Sequence, residues 1–236
     1  MALTDNIVSY WKLNESSGNA SDSVGSNTLT NNNTVTYVPA KIANGANLVR
    51  ASSQYLSIAD ASQTGLDLSS NFTFTMWVNL ATHPINGEYM GLINKWVTAG
   101  QRAYEMYYFQ ELGTPQFGFD TSSDGTNNTG FTLNNTLSVS TYYFLAFTKS
   151  STTGTIYVNA SSIGTGTVAS TIANGTDRFG VGITASADFF NGILDEIGVW
   201  SRALSGAEIT QLYNNGSGLT YPFIPSVNLL NLLDVG

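Results

Sequence analysis

The sequence predicts an all-β protein: a two-sheet antiparallel β-sandwich of the jelly-roll kind with one short C-terminal helix. Two observations carry this. Period-2 alternation is sharp in "NFTFTMWVNLA", where Phe72, Phe74, Met76, Val78 and Leu80 share one face and Thr73, Thr75, Trp77 and Asn79 the other. Short apolar runs of this kind recur along the chain, separated by Asn-Gly pairs at Asn44, Asn86, Asn174 and Asn191, the dipeptide that best accommodates positive-φ turns.

Taken in order, the candidate strands are "IVSYWKL" from Ile7, "QYLSIA" from Gln54, the alternating run through Phe72, "YMGLINKW" from Tyr89 and "AYEMYYF" from Ala103. "QFGF" from Gln116, "YYFLAF" from Tyr142, "TIYV" from Thr155, "RFGVG" from Arg178 and "GILDEIGVW" from Gly192 complete the set. One helix follows in "LSGAEITQLYNNG". Ser205 is its N-cap and Glu208 closes a capping box, while Leu204 and Ile209 form a hydrophobic staple. Ile209, Leu212 and Tyr213 make one apolar stripe that can dock on a sheet, and Asn215-Gly216 ends the helix. No repeat or linker divides the chain, so residues 1–218 are read as one domain and 219–236 as a C-terminal tail. In that tail Leu229, Leu230, Leu232 and Leu233 form an apolar end, which either straps the protein's own sheet or docks on a second copy.

Composition narrows the function. Only 10% of residues are charged, against roughly 25% in an average soluble domain, and Asn, Ser, Thr and Gly supply the polarity instead. A net charge of -8 without any Lys/Arg cluster argues against nucleic acid as a partner, and no apolar run is long enough for membrane insertion. The absence of cysteine excludes disulfides and thiolate chemistry, and a lone His83 beside Pro84 excludes multi-histidine metal centres. The chain as given carries no secretory signal at its start.

The Asp195-Glu196 pair stands out in so uncharged a chain. Under strict alternation Asp195 shares the apolar face with Ile193, Ile197 and Val199, and Glu196 points the other way with Leu194, Gly198 and Trp200. A carboxylate on the buried side must be compensated by backbone amides, here expected from the loop around Asp22, or by a cation.

The order "IVSYWKLNESSGNASDSVGS", "FTFTMWV", "YVNAS" and "FNGILDEIGVWSRALSGAEITQLYNNG" resembles the laminin-G-like, concanavalin A-like jelly-roll modules of bacterial surface proteins, glycosidase appendages and phage virion proteins. The resemblance spans roughly Asp5 to Gly218. It implies a structural calcium held by Asp195 together with Asp22, Ser23 and Asn27. Enzymes of that superfamily set catalytic carboxylates at alternate positions of one strand; adjacent Asp195 and Glu196 cannot do this, so no enzymatic activity is expected. The expected function is a non-catalytic recognition or structural module displayed on a virion or cell surface, foremost a phage tail or capsid part. Its partners would be glycans or other virion or surface proteins. The alternative is a carbohydrate-binding module of an extracellular protein, with Trp77, Trp96, Tyr104 and Tyr107 as candidate stacking residues. Packing under loops or under the helix is the competing role for those four rings.

Overall fold

A computed structural model describes residues 1–224, which form two stacked antiparallel sheets. The first half of the chain supplies β1 (Ile7–Trp11), β2 (Thr30–Asn32), β3 (Thr36–Pro39), β4 (Asn44–Leu48), β5 (Tyr55–Ile58), β6 (Phe72–Leu80) and β7 (Tyr89–Lys95). The second half supplies β8 (Tyr104–Glu111), β9 (Thr114–Thr121), β10 (Thr129–Asn134), β11 (Tyr142–Ser150), β12 (Thr153–Val158), β13 (Ser161–Thr167), β14 (Phe179–Val181) and β15 (Gly192–Trp200). The first sheet runs β13-β12-β11-β6-β15-β4-β3, with β1 also paired to β15, and the second runs β10-β9-β8-β7-β14-β5-β2. The expected two-sheet sandwich is therefore the observed fold.

Strand β6 lies inside the first sheet, between β11 and β15, and its alternation is the one the sequence shows. Phe72, Phe74, Met76, Val78 and Leu80 fill the space between the sheets with Trp11, Tyr104, Phe119 and Phe179. Phe74 packs 5.2 Å from Tyr104, and Trp11 stacks on Phe179 at 5.5 Å.

The first sheet is buried on its outer face as well. Helix α1 (Gly206–Tyr213) begins at the capping box of Ser205 and Glu208 and lays Ile209 and Leu212 over that face. Beneath it sit Tyr10, Trp77, Phe144 and Trp200, with Leu3, Leu204 and Phe223 closing the layer. Burying each such aliphatic side chain is worth about 1.5–3 kcal/mol, so the cap is a second small core rather than an ornament of the first. Trp200 Nε1 donates to the Leu3 carbonyl at 2.7 Å, and the Trp200 ring stacks on Phe223 at 6.0 Å with 29° between the planes. Leu219, Tyr221 and Phe223, in the segment after α1, pack with this layer. The leucines from Leu229 to Leu233, on which the strap or docking reading rests, lie outside the described residues. No described helix is long and apolar enough to cross a membrane.

Candidate functional site

The Asp-Glu pair of β15 sits at a β-bulge. Asp195 pairs with Trp77 of β6, yet the next register pair is Gly198 with Thr75, so β15 carries one extra residue there. Glu196 absorbs it with φ 50°, a left-handed conformation that a glutamate rarely adopts. The bulge resets the phase of the strand: Leu194, Ile197 and Val199 all face the inter-sheet core, whereas Asp195 and Glu196 both lie on the outer face under the cap. The alternation expected for this strand, which put Asp195 inward with Ile197 and Val199 and put Leu194 beside Glu196, is thereby corrected. Period alone cannot register an inserted residue.

Both carboxyls are buried, at 0% and 2% exposure, so no substrate can reach them. Asp195 Oδ2 accepts from the Ile42 amide at 2.8 Å. A backbone amide does serve Asp195, then, but it comes from the β3–β4 turn and not from the Asp22 loop. Burial pushes Asp195 up to about 8, opposed by the Ile42 amide and reinforced by the neighbouring Glu196. Burial likewise pushes Glu196 up to about 7, with the Tyr10 and Thr220 hydroxyls beside it pulling the other way. A carboxyl that stays protonated near neutrality avoids most of the cost of a buried charge.

Of the residues expected to hold calcium, Asp22 and Asn27 are largely engaged by the protein's own groups. Asp22 Oδ1 accepts from the amides of Tyr10 and Val24, both at 3.0 Å, and Oδ2 from the Asn27 amide at 3.1 Å. The Asn27 side chain donates to Ser9 Oγ at 2.7 Å and the Thr64 carbonyl at 2.8 Å, and accepts from the Thr64 amide at 2.7 Å. Ser23 is tied by its own amide to the Tyr10 carbonyl. Lone pairs already aimed at N–H donors are not available to a cation. Among the described residues no group of three or more His, Asp or Glu side chains is arranged to hold a metal.

The four candidate stacking rings part company. Trp77 is buried under α1, stacked on Tyr213 at 5.8 Å with the Lys41 ammonium 4.8 Å from its ring. Tyr104 points into the inter-sheet core and donates its hydroxyl to the Leu66 carbonyl at 2.7 Å. Neither stands on an accessible sheet face, because the cap covers the first and strand parity turns the second inward. Trp96 is buried with the Arg102 guanidinium 5.5 Å from its ring. Tyr107, three residues from Tyr104 and hence on the opposite side of β8, lines an open cleft.

That cleft, of about 410 Å³, lies on the outer face of the second sheet. Glu105, Tyr107 and Phe109 occupy alternate positions of β8, so all three leave the core that Tyr104, Met106 and Tyr108 enter. Glu105 is in register with Asp120 of β9, and Tyr107 with Gly118. A Cβ at Gly118 would come within 2.1 Å of the Tyr107 ring, so the glycine is what lets that ring lie down on the sheet. Tyr89 stacks on Phe109 at 5.0 Å with 6° between the planes, and keeps 37% of its surface exposed.

Polar groups converge on the same space. Glu105 Oε1 accepts from Asn94 Nδ2 at 2.7 Å and from the Ala185 amide at 2.8 Å. Asp120 Oδ2 accepts from the Tyr107 hydroxyl at 3.0 Å, and Asp188 Oδ2 from the Thr184 hydroxyl at 3.0 Å. Burial pushes Glu105 up to about 7, with Asp120 and Asp188 adding to it against the pull of its hydrogen bonds. An exposed aromatic face above fixed carboxylates and hydroxyls can hold the apolar side of a polyol ring while accepting from its hydroxyls.

Two larger depressions lack this combination. The one of about 510 Å³ beside Tyr37 uses its polar groups internally: the Tyr37 hydroxyl and the Asn31 amide both donate to the Gly18 carbonyl. The one of about 690 Å³ beside Tyr157 has its cation, Arg202, paired with Glu208 at 2.7 Å. Sequence reasoning reached Tyr107 but missed Tyr89, Glu105, Asp120 and Asp188. The signal available was a lone glutamate in the apolar run "AYEMYYF"; the other three converge only through cross-strand register and the loop before β15.

Comparison with known proteins finds a match to the model of a family described as the concanavalin A-like lectin/glucanases superfamily, over residues 50–210. A search of curated proteins finds no significant match. Among solved structures, the chain is similar to domain 4 of an extracellular arabinanase from Geobacillus stearothermophilus in complex with arabinotriose. The identity is 18% and the TM-score 0.64, over 87% of this chain and 97% of that one. It is also similar to the binding domain of Paraclostridial Mosquitocidal Protein 1, at 15% identity and TM-score 0.69, over 90% of this chain and 52% of that one. The binding domain of a botulinum neurotoxin DC in complex with SialylT matches at 12% identity and TM-score 0.66, over 89% and 52%. The chain therefore spans about half the length of the toxin domains, and at these identities the likeness is one of fold.

Proposed function

Because the chain belongs to the concanavalin A-like lectin/glucanases superfamily, whose fold also carries the binding domains just described, we propose that it is a non-catalytic carbohydrate-binding module. The observation that carries this reading is the cleft of Tyr89, Tyr107, Glu105, Asp120 and Asp188, which sets a half-exposed ring beside several fixed acceptors. Two neighbours of the same fold are described with arabinotriose and with SialylT, which supports a saccharide as the ligand class. The only carboxylate pair adjacent in sequence, Asp195-Glu196, is sealed beneath the cap, out of reach of a substrate. Glycan recognition is preferred to the virion-part reading because the cleft chemistry speaks for it directly. Such a module works wherever it faces displayed glycans, on a cell or a virion.

A glycan array followed by calorimetric titration tests the proposal. Tyr89→Ala should weaken binding on the order of tenfold, the loss of about 1.4 kcal/mol of ring contact. Binding that is indifferent to Tyr89, or shortening of a bound oligosaccharide on incubation, would refute it.

A further inference from the structure

The glycan-binding reading leaves the ligand's charge open, and the cleft restricts it. The lining residues include three carboxylates and no Lys, Arg or His. Asp120 and Asp188 lie close enough to Glu105 to act on its ionisation, so the three form one field rather than three isolated charges. Arg50, which neighbours Glu88 and Phe189, is not among the lining residues: its Nη1 is ion-paired with Glu88, its Nε donates to the Phe189 carbonyl at 3.0 Å, and its Nη2 is buried without a partner. The hydroxyls of Tyr107 and Thr184 are likewise turned toward Asp120 and Asp188.

Beyond the hydroxyls of Tyr89 and Ser186, the hydrogen-bonding capacity that remains on the lining side chains is acceptor capacity. Glu105 engages Oε1 with Asn94 and Ala185, and Asp188 engages Oδ2 with Thr184, so in each carboxylate the second oxygen is left to receive a donor. Sugar hydroxyls can donate to such oxygens, whereas a ligand carboxylate has no proton to offer and meets like charge in a partly desolvated site. On the basis of the function proposed above, we infer that the cleft takes uncharged glycans, with ring hydroxyls donating to Glu105 and Asp188 and the ring's apolar face on Tyr89, and that it rejects sialylated and uronic-acid glycans.

The test uses the full chain at pH 8 and low salt. An array of neutral and anionic glycans is probed first, followed by titration with the matched pairs galactotriose and trigalacturonate, and lactose and 3′-sialyllactose. The expected result is binding to neutral array members with each anionic counterpart at least about tenfold weaker, and a narrowing of that gap at high salt as the carboxylates are screened. Glu105→Gln with Asp188→Asn should narrow the same gap at low salt. Anionic glycans that bind as well as or better than their neutral counterparts, with the binding lost in Tyr89→Ala, would overturn this inference while leaving the glycan-binding reading intact. Absence of binding to both classes across the array would remove that reading and this inference with it.

Discussion

Glu105 of β8 stands directly opposite Asp120 of β9, two carboxylates in register on the exposed face of one sheet. Their proximity, added to burial, keeps Glu105 protonated up to about 7, and the buried pair on β15 behaves alike, with Glu196 at about 7 and Asp195 at about 8.

These shifts set the sign of the pH dependence. In the unfolded chain the same groups titrate near about 4. From there up to about 8 the folded form holds more protons, so its stability falls as pH rises through that window. Glu208, lowered to about 2 by Arg202, acts oppositely, its contribution being lost as acid carries the pH below about 4. The melting temperature should therefore be higher at pH 5 than at pH 8 at constant ionic strength. Asp195→Asn combined with Glu196→Gln should flatten the slope; a melting temperature that climbs from pH 5 to 8 would contradict this account.

Gly118→Ala should injure the cleft without touching any acid in it. The added methyl overlaps the Tyr107 ring, so the ring must lift and carry its hydrogen bond to Asp120 with it. A loss of about 1–3 kcal/mol in urea unfolding is expected for such overpacking. Glycan affinity should fall together with it, and wild-type affinity in this variant would show that Tyr107 does not form the floor of the site.

Phe223→Ala tests the cap from the chain's far end. The ring is 6% exposed, edge-on to Tyr10 at 5.3 Å and stacked with Trp200. Its removal should cost about 3 kcal/mol, read as a lower urea midpoint, while glycan titrations at the opposite sheet stay unchanged. A loss of unfolding free energy under about 0.5 kcal/mol would mean that the segment after α1 contributes little to the fold.

Calcium should leave the melting curve where it is. Asp22 accepts three backbone amides, two on Oδ1 and one on Oδ2, so it has at most one lone pair to offer an ion without giving up an amide. Melting in millimolar calcium and again in EDTA gives the answer; a rise with calcium reversed by chelation would show that the loop reorganises around the ion.

How far the sequence could be read depended on how local each cause was. Strand β6 was legible because every second residue from Phe72 to Leu80 is apolar, and α1 because its cap, stripe and stop all lie within one short stretch. Trp77 was misleading for a distal reason. On its own strand it belongs to the threonine side, and only a helix more than a hundred residues away turns that side into a core. The cleft was opaque in the same way. Tyr89, Glu105, Asp120 and Asp188 come from separate segments, and nothing within any one of them announces the others. Strand β15 failed differently: its extent was plain, its phase was not.

That bulge has a consequence for how the gene can change. Removing Glu196 would restore a strict two-residue repeat, and one half of β15 would then have to turn inside out, sending either Leu194 toward the cap or Ile197 and Val199 away from their neighbours. Glycine at the same position would suit the left-handed backbone at least as well as glutamate, and proline, which cannot reach that φ, would not be accommodated. Position 196 thus works as a spacer whose presence matters more than its spelling. Drift in this strand should proceed by replacement, while single-codon gains and losses, tolerated in the loops on either side, are selected out of it.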